Sequence, residues 1–284
     1  MVYINKPLNE VEIQKAIEIY ESGLSLQKTA EAMGYKKGER IGRWFKSVGY
    51  TCRDHKNKNT KQGICNFNYF ESINTAEKAY WLGFIAADGY ILNARKHSSM
   101  KVGISLSTKD RCHLEKFLVA IDAKNVSIGD YKTTSGYKIG TPYSRVMITG
   151  DDFANSLIEK GIVKNKSLIL KFPTHKQVPR EFIYHYLRGF VDGDGSIMIK
   201  NMKNNYKMFQ VYIGGTKEFL MGMQDLVGNS NKLEKRWDNG TNHYGLKISG
   251  VAGVKFAENI YKESTIHINR KKEKFEEYKL LSGG

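Results

Sequence analysis

Apolar positions in the first fifty residues recur with a helical period. Val11, Ile13, Ala16, Ile17, Ile19 and Tyr20 fall on neighbouring turns of one helix, and Gly23 marks its stop. Ser25 stands where it can cap a second, shorter helix carrying Leu26, Thr29, Ala30 and Met33, which Gly34 ends. A third helix is predicted from about Glu39 to Val48, with Ile41, Trp44, Phe45 and Val48 as its buried stripe and Gly49 closing it. The stretch TCRDHKNKNTKQG that follows is polar, basic and nearly free of apolar residues, as a linker is. From Phe67 to about Leu281 the pattern is that of a packed body.

That body carries a weak internal repeat. LGFIAADG at 82–89 answers LRGFVDGDG at 187–195, with Gly83 matching Gly189 and Asp88 matching Asp194. KVGISLSTKD at 101–110 answers FQVYIGGTKE at 209–218, and GTPYSRVMITG at 140–150 answers GTNHYGLKISG at 240–250. Each half then reads as helix, two strands, helix, two strands, helix. The strands are predicted near 90–93, 101–107, 130–139 and 143–149, and again near 196–200, 206–213, 232–238 and 243–249. Alternation supports them: Val102, Ile104 and Leu106 against Gly103 and Ser105, and Leu246 and Ile248 against Lys247 and Ser249. An antiparallel sheet of that kind has helices on one face and leaves the other free to meet a ligand. The domain boundaries that follow are 1–50 for the helical unit, 51–66 for the linker, 67–174 for the first half and 175–284 for the second.

Charge changes the picture. The chain has 284 residues, with 45 Lys and Arg against 29 Asp and Glu, a formal net charge of +16. A surface so basic concentrates around polyanions, nucleic acid first among them, although charge alone also describes many solvated surfaces. Three cysteines, Cys52, Cys65 and Cys112, are too few for a disulfide framework and fit a reducing compartment. Cys52, His55 and Cys65 lack a fourth zinc ligand at a usual spacing. No apolar run approaches the roughly 18 to 20 residues that span a membrane. MVYINKPLNE has neither the apolar stretch nor the cleavage site of a secretory signal. The expectation is a soluble, intracellular protein of cytoplasm or nucleoid.

Both repeat motifs end a helix in small residues, an acid and glycine: Ala86-Ala87-Asp88-Gly89 and Asp192-Gly193-Asp194-Gly195. Small residues recur four apart, Gly83 with Ala87 and Gly189 with Gly193, so two such helices can pack with their backbones close. Gly89 and Gly195 suit a helix terminus. Packing about a pseudo-two-fold brings Asp88 and Asp194 together beside the negative ends of two helix dipoles, where two carboxylates repel. A single such acid is a solvated helix end; a matched pair calls for compensation. Mg²⁺, or another divalent cation, takes carboxylate oxygens, keeps sites for water and phosphate, and activates phosphodiester hydrolysis.

AYWLGFIAADG and YLRGFVDGDG resemble the two signature helices of the LAGLIDADG homing endonucleases in their single-chain, two-motif form, over roughly residues 67 to 281. The resemblance implies an α+β fold of two pseudo-symmetric αββαββα halves with antiparallel, saddle-shaped sheets that grip double-stranded DNA, working as a monomer. It implies a metal-dependent double-strand break at a long target site. By resemblance Asp88 and Asp194 bind the catalytic metals, with the carbonyls of Ala87 and Gly193 assisting. A basic residue beside each scissile phosphate is implied as well, and Lys166 in GIVKNKS matches it. Its second-half counterpart is Arg270 or Lys271 in INRKK, and Lys271 is carried forward. Ala86 departs from Asp192 at the matching position. Polar strand residues near the metals are also implied: Ser105 is the first-half candidate, while the repeat pairs it with the apolar Ile213.

The N-terminal unit resembles the small all-α helix-turn-helix domains of bacterial and phage DNA-binding proteins. Lys36 and Lys37 stand in its turn, and Arg40, Arg43 and Lys46 are expected on the outer side of its third helix, suited to guanine edges and phosphates. Lys101, Lys132, Lys138, Arg145, Lys200, Lys207, Arg236 and Lys247 lie along the predicted strands and together suit a DNA-contacting surface, though any one alone is more often solvated. Tyr131, Tyr137, Tyr143, Tyr206, Tyr212 and Tyr244 belong to a residue type commoner in cores and receive no role, and Tyr80 and Trp81 are read as core. His97, His113, His175, His185 and His243 form no ligand spacing and are read as structural or surface residues. The leading function is a sequence-specific DNA endonuclease. Its rivals are a non-cleaving DNA-binding regulator or RNA maturase on the same scaffold, and a chain in which the helix-turn-helix alone binds DNA.

Overall fold

A computed structural model of the chain describes residues 7–52, 63–93, 98–135, 139–203, 206–228, 231–236 and 240–282. The contacts divide the chain into two compact units, one within residues 1–61 and one within 62–284.

Three helices form the first unit. α1 (Glu10–Glu21) starts at Asn9, whose side chain accepts from Glu12 N while the Glu12 carboxylate accepts from Asn9 N, both at 2.9 Å. It buries Ile13, Ala16, Ile17 and Tyr20, a stripe at helical spacing. α2 (Leu26–Ala32) is capped by Ser25. α3 (Gly38–Ser47) begins where its backbone crosses α2 so closely that a Cβ on Gly38 would lie 2.6 Å from Gln27 N. The Gln27 amide locks that turn by accepting from Gly38 N at 3.0 Å and donating to Lys36 O at 3.1 Å. Ile41 and Phe45 are buried as the pattern predicts, but Trp44 is only half-buried and Val48 is 46% exposed. The helix ends at Ser47, and Gly49 in the left-handed region (φ 74°) folds Tyr50 back over Phe45, filling the place assigned to Val48.

The second unit repeats one topology. α4 (Ala76–Asp88), β1 (Gly89–Leu92), β2 (Lys101–Ser107), α5 (Arg111–Ala120), β3 (Gly129–Lys132), β4 (Pro142–Thr149) and α6 (Asp151–Glu159) make the first half. α7 (Ile183–Asp194), β5 (Gly195–Asn201), β6 (Lys207–Gly215), α8 (Lys217–Val227), β7 (Glu234–Lys235), β8 (Tyr244–Ser249) and α9 (Gly250–Tyr261) make the second, and α10 (Asn269–Ser282) follows. Each half has a four-stranded antiparallel sheet, ordered β1-β2-β4-β3 and β5-β6-β8-β7. The fold is therefore α+β, two αββαββα halves. Residues 63–66 already belong to this body, since Ile64 bridges Lys124 and Asn66 N donates to Ile121 O at 2.8 Å.

One core runs through both halves, and α4 and α7 lie against each other at its centre. A Cβ on Gly83 would fall 1.9 Å from Tyr186 O, and one on Gly189 would fall 2.0 Å from Tyr80 O. Each helix thus presses a glycine onto the other's carbonyl at equivalent places. Burial of α4 from Ala79 to Ala87 without a break is what a helix enclosed on all sides requires. Gly89 and Gly195 are not left-handed caps, since both are extended (φ −81° and −89°). Their missing side chains serve space: a Cβ would meet Ile85 O at 2.7 Å or Val191 O at 2.6 Å.

Candidate active site and nucleic-acid interface

Because α4 and α7 pair about their glycines, their last residues, Asp88 and Asp194, emerge at one end of the seam. A Cβ on Gly193 would touch Ala87 Cβ at 2.4 Å and stand 3.2 Å from Asp88 Oδ2. Asp88 is half-buried and Asp194 opens to solvent. Burial first, and then the charge of Asp194, push the Asp88 carboxyl up to about 7, while Lys271 and Lys166 pull it back. Asp194 is also raised by its packed surroundings, against Lys166, Lys271 and His243.

Two lysines answer the helix ends. Lys166 is 6% exposed and donates from Nζ to Ala87 O at 2.8 Å. Lys271 is 5% exposed and donates to Val191 O at 2.7 Å, Asp192 O at 2.6 Å, Gly195 O at 2.7 Å and, more weakly, Gly193 O at 3.4 Å. Ammonium groups there satisfy carbonyls that a helix C-terminus leaves without partners. Burial lowers both ammonium pKa values, that of Lys271 to about 8. Both lysines act on both acids, so the influence reaches across the two halves. Arg270, the other second-half candidate, turns away and pairs with Asp110 of the first half at 3.1 Å.

The donor set suits Mg²⁺. Gly193, with no side chain, lets α7 come close to Ala87 and Asp88 and brings the two carboxylates to one place, and Asp194 faces solvent, so water and phosphate oxygens can complete a hard-cation shell. Among the described residues no three or more His, Cys, Asp or Glu gather as a protein-only metal cage. The carbonyls of Ala87 and Gly193 each accept from a lysine, which leaves each a second lone pair beside the carboxylates. The cysteines are free thiols, and His55 of the considered zinc set lies outside the described residues.

The sheets present their open faces by strict alternation. Val102, Ile104, Leu106, Val146 and Ile148 point to the helices, so Lys101, Ser105, Arg145 and Met147 point away. In the second half Phe209, Val211 and Ile213 point inward, and Lys200, Tyr212 and Lys247 outward, with Arg236 over the Tyr212 ring. Two expected DNA contacts fall elsewhere. Lys132 shares the parity of Asp130, which binds the buried Ser144, and Lys207 that of Phe209, so both stand on the helix side at strand ends. Lys138 lies outside the described residues. Lys247 is paired with Glu234 at 2.6 Å. In the first unit Lys36, Lys37, Arg43 and Lys46 are exposed, whereas Arg40 lies over the rings of Tyr35 and Trp44 instead of projecting outward.

Pairing register also revises the repeat. Gly89 pairs with Ile104 and Gly195 with Ile213, which makes Ile213 the counterpart of Ile104 and Gly214 that of Ser105. Two features escaped the sequence reading. His243 reaches over Gly214 towards Asp194, close enough for its charge to bear on that acid. Tyrosines on the open faces lie flat across glycines: Tyr90 over Gly103, Tyr131 beside Gly129 and Tyr212 over Gly245. Each Tyr–Gly pair follows the alternation: Tyr90 with Gly103 and Tyr212 with Gly245 share the polar parity of adjacent strands, and Tyr131 stands two residues from Gly129 on one strand. Trp81 and Tyr80 are core residues as expected.

No helix among the described residues is long and apolar enough to cross a membrane. No protein-family model matches the chain, and no curated protein matches it. Among solved structures the chain is similar to the LAGLIDADG meganuclease I-AabMI bound to uncleaved DNA, at 15% identity over 72% of this chain and 90% of that one, with a TM-score of 0.47. It is similar also to the meganuclease I-SmaMI bound to uncleavable DNA, at 14% identity, 75% and 91% coverage and a TM-score of 0.47. The LAGLIDADG homing endonuclease I-LtrWI bound to target DNA gives 13% identity, 76% and 90% coverage and a TM-score of 0.46.

Proposed function

We propose that this chain is a sequence-specific DNA endonuclease that makes a divalent-metal-dependent double-strand break as a monomer. The observation that carries the reading is the meeting of Asp88 and Asp194 at one end of the α4–α7 seam, with a buried lysine from each half, Lys166 and Lys271, held at the two helix ends beside them. Both acids come from one chain, so one chain supplies two centres. Asp88 and Asp194 would hold a Mg²⁺ ion, which when bound would supply positive charge to polarise a phosphodiester. Lys166 and Lys271, fixed by carbonyls, hold positive charge beside the acids without having to reorganise. Lys101, Arg145, Lys200 and Arg236 on the open faces, and Lys36, Lys37, Arg43 and Lys46 of the helix-turn-helix unit, meet phosphates and base edges.

The test incubates purified protein with a highly diverse duplex library, with Mg²⁺ and with EDTA, and sequences the new ends. Recurrent ends that need Mg²⁺ are expected, and Asp88→Asn or Asp194→Asn should abolish them while leaving binding largely intact, because phosphate contacts supply much of the affinity. A footprint without ends would favour the non-cleaving regulator. Loss of binding together with cutting would make the acids structural.

A further inference from the structure

One buried carboxylate near the acids has no counterpart in the other half. Asp192 of α7 is 1% exposed, and its repeat counterpart in α4 is Ala86. Asp192 Oδ2 accepts from Ile268 N at 2.9 Å and from Tyr80 Oη, across the seam, at 2.8 Å. Tyr80 has one proton and donates it to Asp192, so its oxygen is left to accept from Nε2 of His113 at 2.7 Å. Ile268 opens the turn into α10, and Lys271 N donates back to Ile268 O at 3.0 Å. The same carboxylate that ties the halves together therefore pins the backbone three residues before Lys271. The reverse tie, from α4 to the second half, is missing among the described residues: Ala86 carries a methyl group, and in the second half Phe219 packs on Phe190 where His113 packs on Phe84 in the first.

On the endonuclease reading, we propose that Asp192 is a positioning residue for Lys271, acting through Ile268 N, and that it makes the two strand-cutting centres unequal. The centre that uses Lys271 depends on Asp192; the centre that uses Lys166 does not.

The test is single-turnover cleavage of a target duplex carrying a different label on each strand, run for the wild type, Asp192→Ala and Asp192→Asn. Hydrogen exchange of the Ile268 amide is followed in the same proteins. Asp192→Ala should slow one strand by about tenfold relative to the other, the rate equivalent of one lost charge-assisted hydrogen bond, and accumulate nicked duplex. The Ile268 amide should lose its protection in that variant. Asp192→Asn keeps an oxygen for Ile268 N and should restore both readouts, which separates the role from mere folding. Equal slowing of both strands, or unchanged Ile268 protection in Asp192→Ala, overturns the proposal. A wild-type chain that cuts neither strand overturns the endonuclease reading and the strand inequality with it. Exchange at Ile268 then still reports whether Asp192 holds the turn before Lys271.

Discussion

At the middle of the seam the halves are interchangeable, Gly83 lying on Tyr186 O and Gly189 on Tyr80 O. Towards the acids they diverge. The first half ends in Ala86 and a lysine bound to a single carbonyl, the second in Asp192 and a lysine shared among four. Arg188, 1% exposed, adds to the second half by donating to Ile266 O and Ile260 O, each at 2.9 Å, with Tyr80 under its guanidinium at 5.1 Å. Backbone-to-backbone packing tolerates no variation and keeps its symmetry. Buried polar groups need only be satisfied, so each half can satisfy them in its own way.

The largest expected effect tests the symmetric part. Gly83→Ala and Gly189→Ala each place a methyl group within about 2 Å of a carbonyl oxygen on the facing helix. Neither backbone can retreat without parting the core, so each should cost more than about 3 kcal/mol, beyond ordinary overpacking. Urea denaturation should find the two losses alike. A mild loss at one position and a severe one at the other would show that the seam is not symmetric after all.

How much of this could be read from the chain follows from the range of the interactions. Helices, strand parity and the paired acids rest on local period and on repeats, and Val102, Ile104 and Leu106 disclosed their face at once. Register does not. Matching Thr108 to Thr216 pairs Ser105 with Ile213, but a one-residue difference before that turn moves the true counterpart to Gly214 and changes the face. The glycines after the acids suit a helix terminus, but whether Gly89 is needed for its φ or for the space beside Ile85 depends on how tightly the chain leaves the helix. Nor does a sequence show which carbonyls a lysine will meet: of two neighbours, Arg270 pairs with Asp110 and Lys271 lies inside the seam.

A middle-sized effect should come from the polar node that Tyr80 and His113 of the first half make with Asp192 of the second, and that has no symmetric copy among the described residues. His113 is buried against Tyr80, Trp81 and Phe84, and burial, with Lys116 adding repulsion, holds its pKa down to about 3. The unfolded chain protonates first, near pH 6.5, so the unfolded state binds more protons and stability falls as pH drops through the window from about 6.5 to 3. Between pH 6.5 and 5 the loss should approach about 2 kcal/mol. His113→Phe copies the choice of the second half, Phe219 on Phe190, and should remove that slope while costing about 1 kcal/mol at pH 7.5 for the lost bond to Tyr80. Denaturation at the two pH values decides it; an unaltered slope would assign the acid sensitivity to other groups.

The smallest effect separates the two sides of each sheet. Lys101 and Lys200 stand on the open faces, Lys132 and Lys207 on the helix side. A lysine that meets a phosphate releases about one counterion, and its loss lowers the slope of log K against log salt by roughly 0.9. Lys101→Ala and Lys200→Ala should each show that reduction in a salt titration of target binding. Lys132→Ala and Lys207→Ala should leave the slope as it is and shift affinity little, although the four lysines contribute the same net charge. Distance through the sheet is what distinguishes them: a cation behind the strands acts on the duplex only through its screened field, beyond roughly one Debye length of about 8 Å at physiological salt. Equal changes from all four would mean that the basic character of the whole body draws DNA in, and that the open faces hold no privileged contact.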